Sequence, residues 1–323
     1  MPQKPYRIAF FGTSDFAVPI LERLKADGDF SIVEVVTQPD RPVGRRRIMT
    51  ATAVKRSAEG LGLKVWQPET LKDEEAFSHL SGLGAVAYVV VAYGKILPKR
   101  VLEIPRLGGV NVHGSILPAY RGASPIGAAI AAGEKETGIT VMKMDEKLDE
   151  GPVLSIEKIE IGDEDTTEAL SRKLSALAAG MIAPTLKLYV EGHVQPMPQD
   201  HSKATYTKIL AREDGRVDWS RSAVEIERFV RAMSPWPGAH AAWTRKGADL
   251  KLTIKKASVL HPGSKCDAAG KAGTVCRLAD GTLGVNCGEG SLLLDEIQLE
   301  GKNASDAKSF LNGYRDFVGA ELS

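Results

Sequence analysis

Cysteine is scarce in this chain: three occur in 323 residues, at 266, 276 and 287, all in the last quarter. That spacing is neither a disulfide framework nor a set of metal ligands. Reduced, mostly buried thiols in a cytoplasmic protein are therefore expected, and no metal. An excess of either charge is also missing, with 42 basic and 41 acidic residues and a net charge of +1. The chain as a whole is no polyanion binder, so any nucleic-acid contact must come from a local patch. Long apolar runs are absent. The longest, from Ala85 to Tyr93, is far too short to cross a bilayer, and Met1 to Tyr6 lacks the apolar core of a secretory signal, so no membrane role is expected. Gly12 ends the first apolar run without the further glycines of a dinucleotide fingerprint, which argues against NAD or FAD. There are no internal repeats and no low-complexity segment.

The hydrophobic content is 43%, enough for a sizeable core, and the length suggests two domains. Strands are expected at residues 7–11, 32–36, 64–66, 85–92, 109–113 and 137–144, with helices near 17–26, 52–60, 71–80 and 125–132. The 85–92 run shows no polar alternation, the pattern of a strand covered on both faces. Strands and helices that alternate at this spacing predict an α/β fold with a doubly wound, mostly parallel sheet. Residues 37–47, with Pro39, Pro42 and Gly44, are expected to be irregular. A long amphipathic helix is expected from Thr166 to Tyr189. The domains are then residues 1–190, a linker over 191–207 and a second domain over 208–323. The second domain should begin with a helix near 222–232. Short β-like runs at 241–244, 250–259, 273–277, 283–286 and 292–299 follow, and a helix at 305–312 closes the chain. They predict a small C-terminal β-barrel resembling an OB fold.

The stretch Asn111-Val112-His113-Gly114-Ser115-Ile116-Leu117-Pro118 carries the chemistry. On an extended segment Asn111 and His113 share a face. Acyl transfer to an amine needs a donor for the oxyanion and a group that moves protons, and an amide beside an imidazole supplies both. A carboxylate from the 144–151 segment would orient the ring; spacing leaves Asp145 and Asp149 both open, with Asp149 favoured by its closeness to Gly151 and the extended segment that follows. Ser115 lies outside any nucleophile elbow, so direct transfer is simpler than covalent catalysis.

Asn111 to Ile126, then Thr137-Gly138-Ile139-Thr140 and Met144 to Leu154, resemble the formyltransferases that use 10-formyltetrahydrofolate. Phe11 to Ala17 and Val89 to Pro98 extend the resemblance. The second domain, with Asp218-Trp219 and Arg231 to Ala239, resembles that of the members that formylate methionine on initiator tRNA. The resemblance implies that Asn111, His113 and Asp149 are the catalytic trio. It implies folate contacts at Ser115, Ile116, Leu117 and Pro118 and at the backbone of Lys95, Ile96 and Leu97. An acceptor side at Gly12, Thr13 and Phe16 is implied as well. Where the family often has Arg-Trp, this chain has Ala119-Tyr120.

The 37–47 segment resembles the loop that the tRNA-formylating members insert at the acceptor stem. Physically it sets Arg41, Arg45, Arg46 and Arg47 against one aspartate, which suits phosphate. The expected partners are thus initiator Met-tRNA and the folate donor, with the enzyme a monomer. The alternative is a sugar-nucleotide N-formyltransferase with the same trio. A catalytically silent RNA-binding protein on this scaffold is the reading from another class, and the complete trio argues against it. In the second domain Trp236 is expected to pack between helix and barrel, with nucleotide stacking as the alternative. Lys251 and Lys255 are expected to share a strand face.

Overall fold

The computed structural model describes residues 4–44, 47–260, 266 and 270–323. By internal contacts the chain forms two units, residues 1–125, 136–160 and 171–207 in one and 126–135, 161–170 and 208–323 in the other.

In the first unit the elements run β1 (Tyr6–Gly12), α1 (Val18–Ala26), β2 (Phe30–Val36), β3 (Arg41–Val43), β4 (Ile48–Thr50), α2 (Ala53–Gly60), β5 (Val65–Trp66), α3 (Glu74–Gly82), β6 (Ala87–Val91), α4 (Lys99–Leu102), β7 (Gly109–His113) and β8 (Arg121–Gly122). After α5 (Pro125–Ala132), which from residue 126 is counted in the other unit, come β9 (Glu136–Lys143), β10 (Val153–Glu160), the long α6 (Thr167–Val190), counted in the first unit from residue 171, and β11 (Tyr206–Thr207). One seven-stranded sheet has the order β10-β9-β7-β6-β1-β2-β5. Its β5, β2, β1, β6 and β7 are parallel, and β9 and β10 are antiparallel additions. All five residues of β6 are buried, as its unbroken apolar run requires of a central strand. Helix starts follow local chemistry: the Thr52 hydroxyl accepts from Lys55 N–H and the Asp73 carboxylate from Ala76 N–H.

One expectation is corrected, and one strand lies beyond those expected. The 37–47 segment is not wholly irregular, because β3 and β4 pair as an antiparallel hairpin with Pro42 opposite Met49. A two-stranded ribbon has an unpaired outer side where a missing N–H costs no ladder bond. The 153–160 segment forms a full strand that the apolar pattern did not disclose. It lies at the sheet edge, its residues 157 and 158 are exposed, and so it lacks the hydrophobic run of its neighbours.

The second unit contains α7 (Ala223–Ala232), β12 (His240–Arg245), β13 (Ala248–Val259), β14 (Val275–Arg277), β15 (Leu283–Asn286), β16 (Ser291–Leu299), β17 (Ser305–Asp306) and α8 (Ala307–Gly313). An antiparallel sheet of order β12-β13-β16-β15-β14 curls around buried Trp243, which packs on Phe310 and Phe317. The C-terminal residues bridge its two ends. Ala242 and Ser323 exchange both backbone bonds on the β12 side, while Val275 N–H donates to Ala320 O and Leu322 N–H to Gly273 O on the β14 side. The result is a small barrel, as the strand spacing predicts. A register shift between Ile254 and Lys256 turns both Lys255 and Lys256 outward, whereas Lys251 is partly buried.

Two further expectations fail in this unit. Cys266 and Cys276 are joined as a disulfide, with Cα atoms 6.1 Å apart. Sequence spacing carries no information about that through-space approach. Cys287 does stay a buried free thiol, and burial pushes its pKa up to about 11. Trp236 is no packing plug, being 55% exposed. It sits at the tip of a turn closed by Gly238 N–H on Met233 O.

Candidate active site

The carboxyl ends of β1, β6 and β7 lie side by side, the place where open α/β sheets bind ligands. Asn111 and His113 alternate along β7, so one pleat presents both. β7 is pinned on both sides, with Asn111 opposite Val90 of β6 and His113 opposite Thr140 of β9. His113 is only 6% exposed.

Asp149 comes from the loop between β9 and β10 and meets both of them. Its Oδ1 accepts from Asn111 Nδ2 at 3.4 Å, and its Oδ2 lies 3.7 Å from His113 Nδ1. Both distances are longer than an ordinary N–H···O bond. The Gly122 N–H donates to Asp149 Oδ2 at 2.8 Å and fixes the carboxylate from behind. The other ring nitrogen, His113 Nε2, lies 2.9 Å from the Tyr120 carbonyl. A carbonyl only accepts, so Nε2 carries a proton. Asp149 and Tyr120 both have positive φ, 54° and 59°. Non-glycine residues rarely hold that conformation, and such strain gathers at functional sites. Asp145, the sequence rival, has its Oδ1 on the Lys147 N–H within its own loop.

The turns around the trio are tied together. Thr13 Oγ1 and Gln38 Nε2 both donate to the Tyr93 carbonyl, each at 2.8 Å. Gly12 is buried, and a Cβ there would come within 2.8 Å of the Phe10 ring and 3.1 Å of Val91 O. Phe16 is partly buried and its carbonyl accepts from Ser175 Oγ. Lys95 spends its ammonium on the carbonyls of Pro68 and Glu69, Ile96 is 82% exposed, and Leu97 packs into the core.

Ser115 and Leu117 turn their side chains inward. Ser115 Oγ donates to Ala119 O at 2.6 Å, and Thr140 Oγ1 donates to Ser115 O and accepts from Leu117 N–H. The Ser115 hydroxyl is therefore engaged and buried, which disfavours it as a nucleophile. Ile116 and Pro118 are partly exposed. In the hairpin Arg41 and Arg47 are exposed, as are Ile48 and Met49; Arg45 and Arg46 lie outside the described residues. The hairpin stem is anchored at Asp40, which accepts from Lys55 Nζ at 2.8 Å and Gln67 Nε2 at 2.7 Å. Those two bonds, Lys55 first, hold its carboxyl below the usual carboxylate range.

Sequence reasoning missed Tyr120 and Gly122 as partners of the trio, because both act through backbone groups that no side-chain motif advertises. Thr140 belongs to the 137–140 stretch that carries the resemblance, but its bonds to Ser115 O and Leu117 N–H are not legible there. Among the described residues no group of three or more His, Cys, Asp or Glu side chains is placed to hold a metal ion. No helix among them is long and apolar enough to cross a membrane.

Comparison with known proteins identifies the family. The profile described as formyl transferase matches residues 6–185, and that of the formyl transferase C-terminal domain matches residues 209–315. A methionyl-tRNA formyltransferase of Roseiflexus castenholzii is 46% identical over 316 residues, covering 98% of each chain. One from Sorangium cellulosum is 43% identical over 308 residues, covering 95% of this chain and 96% of its own. Among solved structures, the N-formyltransferase of Helicobacter canadensis in complex with folinic acid and dTDP-3-aminofucose covers 90% of this chain and 98% of its own. It shares the fold at TM-score 0.65 and 16% identity. HypX of Aquifex aeolicus in complex with tetrahydrofolic acid covers 97% of this chain and 48% of its own, at TM-score 0.60 and 16% identity. With both halves of the chain matched in order and identities above 40% at nearly full length, this chain belongs to the methionyl-tRNA formyltransferase family.

Proposed function

We propose that the protein transfers the formyl group of 10-formyltetrahydrofolate to the α-amino group of methionine on initiator Met-tRNA, by direct acyl transfer at Asn111, His113 and Asp149. The observation that carries this reading is the convergence of an amide donor, an imidazole and one carboxylate at the carboxyl end of β7. The folate is a substrate that supplies the one-carbon group. The chain supplies what the transfer lacks in water. Asn111 Nδ2 donates to the oxyanion of the tetrahedral intermediate, a contribution of about 3 kcal/mol for a single such donor. His113 keeps Nε2–H on Tyr120 and uses Nδ1 to take up and hand on the proton between the attacking and leaving nitrogens. Asp149, steadied by Gly122 N–H, stands beside Nδ1 of that ring and helps orient it.

The surroundings suit a flat donor. Ile96 offers exposed apolar surface in the 93–97 segment, and Ile116 and Pro118 are partly exposed just after β7. Gly12, Thr13 and Phe16 form the acceptor side. Arg41, Arg45, Arg46 and Arg47 grip tRNA phosphates, and residues 208–323 add further tRNA contacts from exposed cations such as Lys255 and Lys256. Residues 1–190 are the catalytic part, acting as a monomer in the cytoplasm, where charged tRNA and reduced folate meet.

The deciding experiment incubates the protein with charged initiator tRNA and 10-formyltetrahydrofolate and looks for formylmethionine. Its formation at catalytic protein concentration is the expected result. Turnover on an amino-sugar nucleotide with none on Met-tRNA would replace this reading by that of a sugar N-formyltransferase.

A further inference from the structure

Arg121 is fully buried, which a guanidinium tolerates only when its donors are met. They are met almost entirely by the 199–206 stretch. Gln199 Oε1 accepts from Arg121 Nη2 at 2.8 Å and from Nε at 3.2 Å. Tyr206 OH accepts from Nη1 at 3.1 Å, His201 Nδ1 lies 2.9 Å from Nη2, and the Glu150 carboxylate is 3.4 Å from Nη1. The other end of Gln199 reaches the catalytic loop. Its Nε2 donates to the carbonyl of Asp149 at 2.9 Å and of Gly151 at 2.7 Å. One amide thus spans the strand that carries Gly122 and the loop that carries Asp149.

The same stretch grips the backbone on either side of Arg121. Thr205 Oγ1 accepts from Tyr120 N–H at 2.8 Å, and Thr205 O accepts from Arg121 N–H at 2.8 Å. Thr207 Oγ1 donates to Arg121 O at 3.0 Å and accepts from Ser124 N–H at 3.0 Å. Tyr120 is the residue whose carbonyl fixes the His113 ring, and Gly122 the one whose N–H fixes Asp149. The Tyr120 carbonyl shares its peptide unit with the Arg121 N–H, and the Gly122 N–H shares its own with the Arg121 carbonyl, so both peptide units that orient the acid–base pair are held by Thr205 and Thr207.

We infer that this segment is a positioning strap for the active site and not a passive tether: Gln199, Thr205 and Thr207 set the geometry between His113 and Asp149. The inference rests on the formyl-transfer reading for its kinetic test but not for its geometric one. These three side chains bond to Arg121, to the 120–124 backbone and to the carbonyls of the catalytic loop, and not to Asn111, His113 or the Asp149 carboxylate, so their removal should act on turnover and leave substrate affinity alone.

The test uses the full chain and four variants. Thr207→Val removes the donor and acceptor while keeping the shape. Thr207→Ser keeps both. Gln199→Glu keeps the acceptor for Arg121 but loses both donors to the catalytic loop. The fourth joins Gln199→Glu to Asp149→Asn. Thr207→Val and Gln199→Glu are expected to lower kcat by about 10- to 100-fold with KM for each substrate within about twofold, the effect of displacing catalytic groups by a fraction of an ångström. Thr207→Ser should restore kcat. On the Asp149→Asn background Gln199→Glu should cost nothing more, because the group it positions is already lost. In parallel, the ¹⁵N signals of the His113 ring, recorded without substrate, should shift in Thr207→Val and return in Thr207→Ser. Unchanged kcat and unchanged ring signals in Thr207→Val and Gln199→Glu would overturn the strap. So would a loss confined to KM, or an additive loss in the double variant. A wild type that makes no formylmethionine sinks the formyl-transfer reading alone, and the ring signals then still decide the strap.

Discussion

His113 donates its Nε2–H to the Tyr120 carbonyl at 2.9 Å, which leaves Nδ1 as the nitrogen that looks toward Asp149. One ring nitrogen is committed to a backbone carbonyl, and the other is the one left for proton transfer. Removing the ring should therefore stop proton traffic, whereas removing Asn111 should weaken the oxyanion alone. We expect His113→Ala and Asn111→Ala each to lower kcat by about 10²- to 10³-fold with folate affinity retained. Steady-state formylation together with a folate-binding titration checks this, and near-normal turnover in a folded variant would refute the mechanism.

The arginine hairpin gives a separable prediction. Arg45→Ala and Arg46→Ala should weaken tRNA use and leave folate affinity unchanged. Each lost phosphate contact should also reduce the slope of log affinity against log salt by about one. A salt titration of tRNA binding reads this directly. A flat salt dependence in the wild type would show that the hairpin holds no phosphates.

Tyr93 connects stability to pH. Its hydroxyl is buried with no partner among the described residues, and burial pushes its pKa up to about 12 from an ordinary 10.0. The folded state keeps the proton that the unfolded state sheds. The stability this represents is intact below pH 10.0 and is lost as pH rises through about 12. Tyr93→Phe should stabilise the protein by about 1 kcal/mol at neutral pH, because an orphaned hydroxyl leaves the core. Its advantage should widen above pH 10, as thermal denaturation across pH would show. The carbonyl that holds Thr13 and Gln38 belongs to the backbone and survives the change.

Gly122 cannot be replaced without cost. Its φ is +104°, and a Cβ would collide with the Thr207 carbonyl. Gly122→Ala should destabilise the protein by about 2 kcal/mol and lower kcat as well, since the N–H on Asp149 would move. A stable variant of wild-type activity would contradict the geometry around that residue.

Much of this site was legible in the residues themselves. The period of two along Asn111-Val112-His113 and the flanking apolar positions specify a strand that shows amide and ring together, and β7 spans Gly109–His113 as expected. The choice of Asp149 over Asp145 needed the resemblance, and the fold brings Asp149 to the pair. What stayed hidden depends on through-space or backbone relationships. The Tyr120 carbonyl, the Gly122 N–H and the Cys266–Cys276 approach leave no trace in spacing. The hairpin at 41–50 was masked by its own proline and glycine. Trp236 was misread because its aromatic bulk suggests burial, while a turn holds it at the surface.

The last residues have a consequence for handling the molecule. Ala320 to Ser323 lie between β12 and β14 and satisfy both margins of the curled sheet at once. Trimming four residues would leave two rows of amides without partners. Such rows invite the matching rows of another copy, so a clipped preparation should self-associate before its catalytic half has lost any of its order.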